Sequence, residues 1–363
     1  MIKGCKGGRV AMLTSLLFFL FLAHVTAAFS GTGAGSRADP YQITNVTQLQ
    51  EMRYAVTSYY VLMNNIDASD TSTWNSGAGF DSIGNLSVRF SGNFDGGGYN
   101  ITGLFINRTG TDYIGLFGIT STSVESNFSD VGLVNVQIYG KGNVGALIGY
   151  NLRSNINNSF STGIVTAAGT VGGLAGYSVP NSGIGGTINN SYSTVNVTSN
   201  TSGSGAGGLV GHNEGQIIYS YATGFINGKA DTGGLVGSSI ETTALVKYSY
   251  ATGIVNGTTF VGGLIGENTF GSKIYNSYSL SNVNGSGSYV GGLVGFSQGG
   301  TTVVNNSFAR GYAAGGSGVG GLVGTVDSNS GTPVIHNSYS TGNVTGSSSL
   351  GGLAGGSTNA VCL

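Results

Sequence analysis

Charge is scarce in this chain. Of 363 residues only 7% are Asp, Glu, Lys or Arg, and just 3 are His, 3 Pro, 2 Cys and 1 Trp. So few cations give nothing for a nucleic acid to neutralise against. Three prolines exclude collagen, which needs abundant Pro in a strict glycine period. Cys5 and Cys362 are the only thiols. Cys5 lies in a leader that export would remove, so no intrachain disulfide is expected and stability must come from packing and hydrogen-bonded ladders.

What is present is glycine, 68 residues of it, with 39% hydrophobic residues and 19 Tyr plus 16 Phe. That much apolar area offsets chain entropy and argues against disorder. The chain starts with Lys3, Lys6 and Arg9, then an apolar run from Val10 to Ala23, then small residues at Val25, Ala27 and Ala28. This is the pattern of a secretory signal over residues 1–27, cut after Ala27 or Ala28. The competing reading, a retained anchor, needs ~20 apolar residues to span a bilayer. Removing three cations leaves 10 Lys and Arg against 14 Asp and Glu, a net charge of −4. Any membrane contact is expected only through the signal.

The phrase GGLVG, or a close variant, recurs nine times. Its Leu falls at Leu116, Leu147, Leu174, Leu209, Leu235, Leu264, Leu293, Leu322 and Leu353. A second landmark, the aromatic of NSYS, falls at Phe160, Tyr192, Tyr221, Tyr250, Tyr278, Phe308 and Tyr339. The two keep step at about 29 residues, which marks one structural unit repeated. Apolar positions alternate within a unit: Ile274, Asn276 and Tyr278 share one side, Tyr275, Ser277 and Ser279 the other. That is strand periodicity. A third run places Val165, Val197, Ile226, Val255, Val283 and Val344 at matching positions, with Gly at the corners.

Three short strands per unit predict an all-β fold, a right-handed parallel β-helix of about ten rungs stacked ~4.8 Å apart. The Leu and aromatic positions are its expected repeat core. A β-propeller blade needs 40 to 50 residues, and a two-stranded β-roll stays open. Ser159, Ser191, Ser220, Ser249, Ser277, Ser307 and Ser338 precede the aromatics and read as hydroxyls that bond one another or cap a turn. Asn158, Asn190, Asn276, Asn306 and Asn337 read as a partial amide ladder at a bend, interrupted by Tyr219 and Tyr248.

Residues 36–118 form a different, N-terminal unit ahead of the repeats at 119–357. Asn45 to Tyr54 carries Val46, Leu49, Met52 and Tyr54 near one face behind an Asn45 cap. A short helix there would cap the first rung and protect its open edge. The DPYQI start, the FxGxFDGGG stretch from Phe90 to Leu104 and the repeated VGGLVG resemble the GLUG-motif repeat proteins. That resemblance implies a secreted or surface-attached β-helical protein with adhesin-like roles. GLUG repeats also accompany the catalytic domains of immunoglobulin A-cleaving metallopeptidases, but this chain lacks their H-E-x-x-H helix, so no catalytic residue carries over.

His212 and Glu214 supply two ligands where zinc sites want three or four. They read as a surface turn, and no metal or cofactor is expected. A polysaccharide-active β-helix needs carboxylates converging on one face. Glu125, Asp130, Glu214, Asp231, Glu241, Glu267 and Asp327 fall at differing phases of the repeat. Asp67, Asp70, Asp81, Asp95 and Asp112 cluster in the N-terminal unit, so residues 60–115 are where an enzymatic site would sit.

The reading is therefore a secreted or cell-surface, non-enzymatic display scaffold with no catalytic residue, whose partners are glycans or other surface proteins. Thirteen N-x-S/T sequons occur. Asn256, Asn284 and Asn343 lie at third-strand turns and are the expected acceptors if asparagine is glycosylated.

Overall fold

The computed structural model describes residues 29–180, 186–201, 203, 205–358 and 361–362. The signal expected over 1–27 lies outside the described residues. The rest is a β-solenoid of about nine turns with parallel stacked coils and only two short helical stretches. At ~4.8 Å per turn its axis is roughly 40 Å long.

One coil shows the plan. Thr259–Gly262 belongs to sheet 1, Ile265–Thr269 to sheet 2 and Lys273–Tyr275 to sheet 3. Tyr278–Ser279 and Asn282–Gly285 form sheet 4, and Ser288–Gly291 re-enters sheet 1. Each strand pairs in parallel with its equivalent one coil on, as in Val261↔Val290, Ile265↔Val294, Ile274↔Val304, Tyr278↔Phe308 and Val283↔Ala313. Four sheets replace the three strands expected per coil.

The fourth arises at a corner that simple alternation does not see. Asn276 sits at φ 49°, and its counterparts Asp130, Asn158, Asn190, Tyr219, Tyr248, Asn306 and Asn337 lie between 47° and 55°. This left-handed residue shifts the side-chain phase by one. Ile274 and Ser277 consequently point in and Tyr278 points out. The aromatics read as core, Phe160, Tyr192, Tyr221, Tyr250, Tyr278, Phe308 and Tyr339, stand on the outer face, six half-buried and Tyr339 46% exposed.

The Leu column is interior. Leu116 through Leu322 are fully buried and Leu353 packs against the core. From Leu147 onward each Leu N–H donates to the carbonyl of the next coil's Leu at 2.8–3.0 Å. The serines form a second inner line. Ser159 N–H donates to Ser191 Oγ at 3.1 Å, and the same bond repeats to Ser338 at 3.1–3.2 Å. Each Oγ also donates to the carbonyl two residues back, as Ser277 does to Tyr275 O at 2.8 Å.

The glycines of GGLVG explain the motif. A Cβ on Gly266 would lie 2.5 Å from Thr232 N, and one on Gly295 2.5 Å from Val261 N. A Cβ on Gly262 would meet Ile265 O at 1.8 Å. Sheets 1 and 2 therefore press backbone to backbone, and only residues without a side chain fit between them.

At the N-terminal end α1 (Val46–Glu51) begins at Asn45, whose side chain accepts from Gln48 N–H at 3.0 Å. It follows Tyr41–Ile43, the outermost strand of sheet 3, and buries Leu49 and, one residue past its end, Met52. Tyr54 stays 48% exposed.

Candidate functional site

The molecule carries three distinct surfaces, the first being the outer face of sheet 4. Its ring column runs unbroken from Phe160 to Tyr339, with successive centroids 4.8–5.3 Å apart and planes within 10°. Ring faces are turned to one another along the axis, leaving edges and hydroxyls outward. Burial in the stack, then the neighbouring phenols, push Tyr221 and Tyr250 upward. Tyr219 and Tyr248 stack beside them at 5.0 Å on the left-handed corner, and Lys247 Nζ lies over Tyr248 at 4.8 Å. Ile164, Phe225, Ile254, Leu280 and Tyr312 extend the strip, each 40–48% exposed. Phe225 and Ile254 stack in register, while exposed Asn196 and Asn282 separate them from Ile164 and Tyr312 in the same outer column.

The second surface is the crease where sheet 1 folds onto sheet 2. One wall is the outward column of sheet 2: Tyr150, Tyr177, His212, Ser238, Glu267 and Phe296, in register from coil to coil. The other wall is the left-handed column of sheet 1, including Tyr113, Asp231, Phe260 and Tyr289. Rings cross the crease at both ends: Tyr113–Tyr150 are 5.7 Å apart and Phe260–Phe296 4.9 Å. Polar groups meet in the middle. Tyr177 hydroxyl donates to Glu214 Oε1 at 2.9 Å, and the Tyr177 and His212 rings stack at 4.0 Å. Ser238 Oγ lies 2.7 Å from His212 Nδ1. His212 Nε2 stands 3.4 Å from Glu214 Oε1, an ion-pair contact without hydrogen-bond alignment.

Burial pushes Asp231 up to about 6 despite the nearby His212, and burial with the Asp231 charge pushes Glu267 up to about 7. Glu214 moves the other way, held below the usual carboxylate range by His212 and by the Tyr177 hydroxyl. Asp231 and Glu267 thus converge although their sequence phases differ, because a residue before the glycine pair and one after the Leu face each other across the fold. His212 and Glu214 belong to this crease and are not the isolated surface turn expected. Among the described residues no three of His, Cys, Asp and Glu come together as metal ligands.

In the N-terminal unit the five aspartates do not converge as a group. Asp67 Oδ1 accepts from Ser69 N–H, a bond that holds its carboxyl low, and Asp95 Oδ1 accepts from Gly97 N–H in a turn. Asp81 and Asp112 both line a third surface, an open cleft of about 740 Å³.

Asn343 is exposed, while Asn256 and Asn284 are half-buried on sheet 4. The Asn284 amide donates to Asn256 Oδ1 at 3.0 Å.

A family model described as the GLUG motif matches residues 202–227. The chain carries the GLUG motif. Halomucin of Haloquadratum walsbyi is 37% identical over 159 residues, 42% of this chain but 2% of that protein. A proposed Gly-rich membrane protein of Evansella cellulosilytica is 40% identical over 96 residues, 26% of this chain and 11% of that protein. The matches thus span a small fraction of these relatives' length. Among solved structures, a proposed immunoglobulin A1 protease from Bacteroides ovatus superposes with TM-score 0.52 at 22% identity, covering 88% of this chain and 86% of that one. At that identity the GLUG solenoid shares a fold with it. No helix among the described residues is long and apolar enough to cross a membrane.

Proposed function

We propose that this GLUG solenoid is a secreted, cell-surface, non-enzymatic scaffold that displays an adhesive face to glycans or other surface proteins. The observation that carries the proposal is the outer face of sheet 4, where a continuous ring column runs along the axis and exposed Phe225 and Ile254 stack in register across a line of Thr223 and Thr252 from it. A monomer with no partner for it would bear the cost of hydrating that apolar area. The names of two relatives, a halomucin and a proposed membrane protein, support a surface or membrane-associated setting. The test is to array the exported chain against glycans and extracellular-matrix proteins. Phe225→Ser with Ile254→Ser should abolish capture while the melting profile stays that of the parent. Capture unchanged by the pair would sink the assignment.

Glycosylation belongs to the same reading. Among Asn256, Asn284 and Asn343, the exposed Asn343 is the best acceptor, since Asn256 and Asn284 are half-buried on sheet 4 and bonded to one another. Glycopeptide mass spectrometry of the native protein reads this directly; occupancy confined to residues 45–107 would overturn it.

The competing enzymatic reading, polysaccharide cleavage, moves from residues 60–115 to Asp231 and Glu267, because there two carboxylates share a crease between aromatic walls. Release of reducing or unsaturated sugar ends, lost in Asp231→Asn and Glu267→Gln, would establish it over the display role.

A further inference from the structure

The N-terminal cleft is built from three pieces of chain: Arg53, Tyr54 and Val56 just after α1, the segment from Asp81 to Val88, and residues Arg108 to Ile114. Its volume, about 740 Å³, falls in the range of small-ligand sites, about 300–1,000 Å³. Gln50 fixes the floor. Its buried amide donates to Asp81 O at 2.8 Å and accepts from Asp81 N–H at 2.8 Å. The Asp81 carboxylate is thereby aimed at two guanidiniums. Oδ2 lies 3.3 Å from Arg53 Nη1 and Oδ1 lies 3.3 Å from Arg108 Nη2. Arg53 Nη2 donates to Tyr54 hydroxyl at 2.8 Å, and Arg108 Nε to Phe80 O at 3.3 Å. Two cations thus share one half-exposed anion, while Asp112, the other acid of the cleft, is matched by Lys141 at 3.4 Å. The two guanidiniums therefore have a single carboxylate between them and donors to spare, the charge balance tipping positive through Lys141 just outside the lining.

The rim is of opposite character. Leu86 is 65% exposed and Val88 51%, on a turn that Asn85 holds by accepting from both Ser87 and Val88 N–H at 2.9 Å. Tyr54 supplies a half-exposed ring on the other side. Exposed aliphatics on a rigid turn beside under-matched arginines suit a ligand with an apolar face and a carboxylate.

We propose that this cleft binds an acidic saccharide, a sugar ring carrying a carboxylate. The ligand carboxylate takes the guanidinium donors of Arg53 and Arg108 that Asp81 does not hold, ring C–H faces lie on Tyr54 and Leu86, and hydroxyls reach Ser82, Asn85 and Thr111. The site is separate from the sheet 4 strip and does not rest on it. Titration calorimetry of the full exported chain with a galacturonate trisaccharide, its methyl ester and the neutral galactose trisaccharide tests the idea. The acid should bind and the ester and neutral sugar should bind at least about tenfold more weakly, the loss expected for a charge-assisted pair. Arg108→Gln should weaken the acid by a similar factor, and added salt should weaken it too. Because Arg108 also bonds Phe80 O, Leu86→Asp serves as the variant that cannot unfold the chain: the residue is exposed, and a new anion at the rim should repel the ligand. Phe225→Ser with Ile254→Ser should leave this affinity unchanged. Equal binding of acid and neutral sugar, no binding of the acid at millimolar concentration, or an unaffected Leu86→Asp variant would each overturn the assignment.

Discussion

Between Tyr60 and Phe128 the interior is filled by rings: Tyr60, Phe80, Phe90, Phe94, Phe117 and Phe128 are fully buried, and Phe117 touches three of the others at 4.7–5.4 Å. Beyond Phe128 no aromatic side chain among the described residues is buried. The core there is Leu, Val, Ile and Ala with lines of Ser and Asn, and the rings stand outside in a column. The difference follows from the glycines. Where sheets 1 and 2 press together at Gly233, Gly262 and Gly291, the cross-section is narrow and a ring has no place inside. The first coils have uneven lengths, so irregular volumes open and large rings fill them.

The largest effect expected on the narrow side is from Leu264→Asp. An unpaired charge in the Leu column should cost more than about 4 kcal/mol. Hydrogen exchange should show protection lost in the coils around residues 235–293 while the first coils keep theirs, as nearest-neighbour stacking dictates. Uniform loss along the chain would mean the two regions are one cooperative unit.

Next comes the ring contrast itself. Phe117→Ala should cost about 3–5 kcal/mol, the range for truncating a buried ring. Tyr250→Ala, which removes one outer rung of the column, should cost only about 1 kcal/mol. Denaturant midpoints decide, and equal losses would erase the inside-outside distinction.

A glycine pair gives the third test. Gly266→Ala places a methyl 2.5 Å from backbone nitrogen and should cost about 2 kcal/mol by overpacking. Gly352→Ala, with nothing within 4 Å of its Cβ, should change the melting temperature little. Indifference to both would mean that the glycines of the motif do not set the spacing of sheets 1 and 2.

The smallest effect depends on pH. Asp231 and Glu267 stand at about 6 and about 7 in the fold, above their ordinary values near 4. A raised folded value favours the native state when the group is protonated. Their stabilisation is therefore full below pH ~4 and lost as pH climbs through about 6 to 7. Glu214, held low, acts in the opposite sense and only in the acid range. Asp231→Asn with Glu267→Gln should melt higher than the parent at pH 8, by on the order of 2 kcal/mol, and match it near pH 4. A parent profile flat between pH 5 and 8 would contradict the burial of these acids.

Much of the fold was legible because its determinants repeat at one phase. The Leu column, the Val165 to Val344 column and the Asn45 cap are local apolar or capping patterns that survive stacking unchanged. What escaped depends on backbone angles or on long-range folding. The outward turn of Tyr278 follows from Asn276 at φ 49°, and the same angle in Tyr219 and Tyr248 shows that position, not amide chemistry, defines that line. The asparagines of the corner lie at the surface, whereas the buried polar seam is Asn151, Ser178, Asn213, Ser239, Asn268 and Ser297. Those residues share one phase after GGLVG, a signal present in the repeat but masked by its change from Asn to Ser. Asp231 and Glu267 lie 36 residues apart, and only the folding of sheet 1 onto sheet 2 makes them neighbours. The cleft overlaps residues 60–115 only in part, because Arg53, Tyr54 and Val56 lie before that region and Gln50, which holds Asp81, sits on the helix.

The serine line has a genetic corollary. From Ser159 to Ser307 each coil donates from the same N–H to the same hydroxyl of its successor, so these coils are chemically interchangeable along that line. A stretch of DNA encoding one such unit can be duplicated or lost by unequal recombination with both flanking units still finding the partner they had. The length of the solenoid can then change in steps of ~4.8 Å per unit without redesign of the serine line, while the cleft at the N-terminal end stays unaltered.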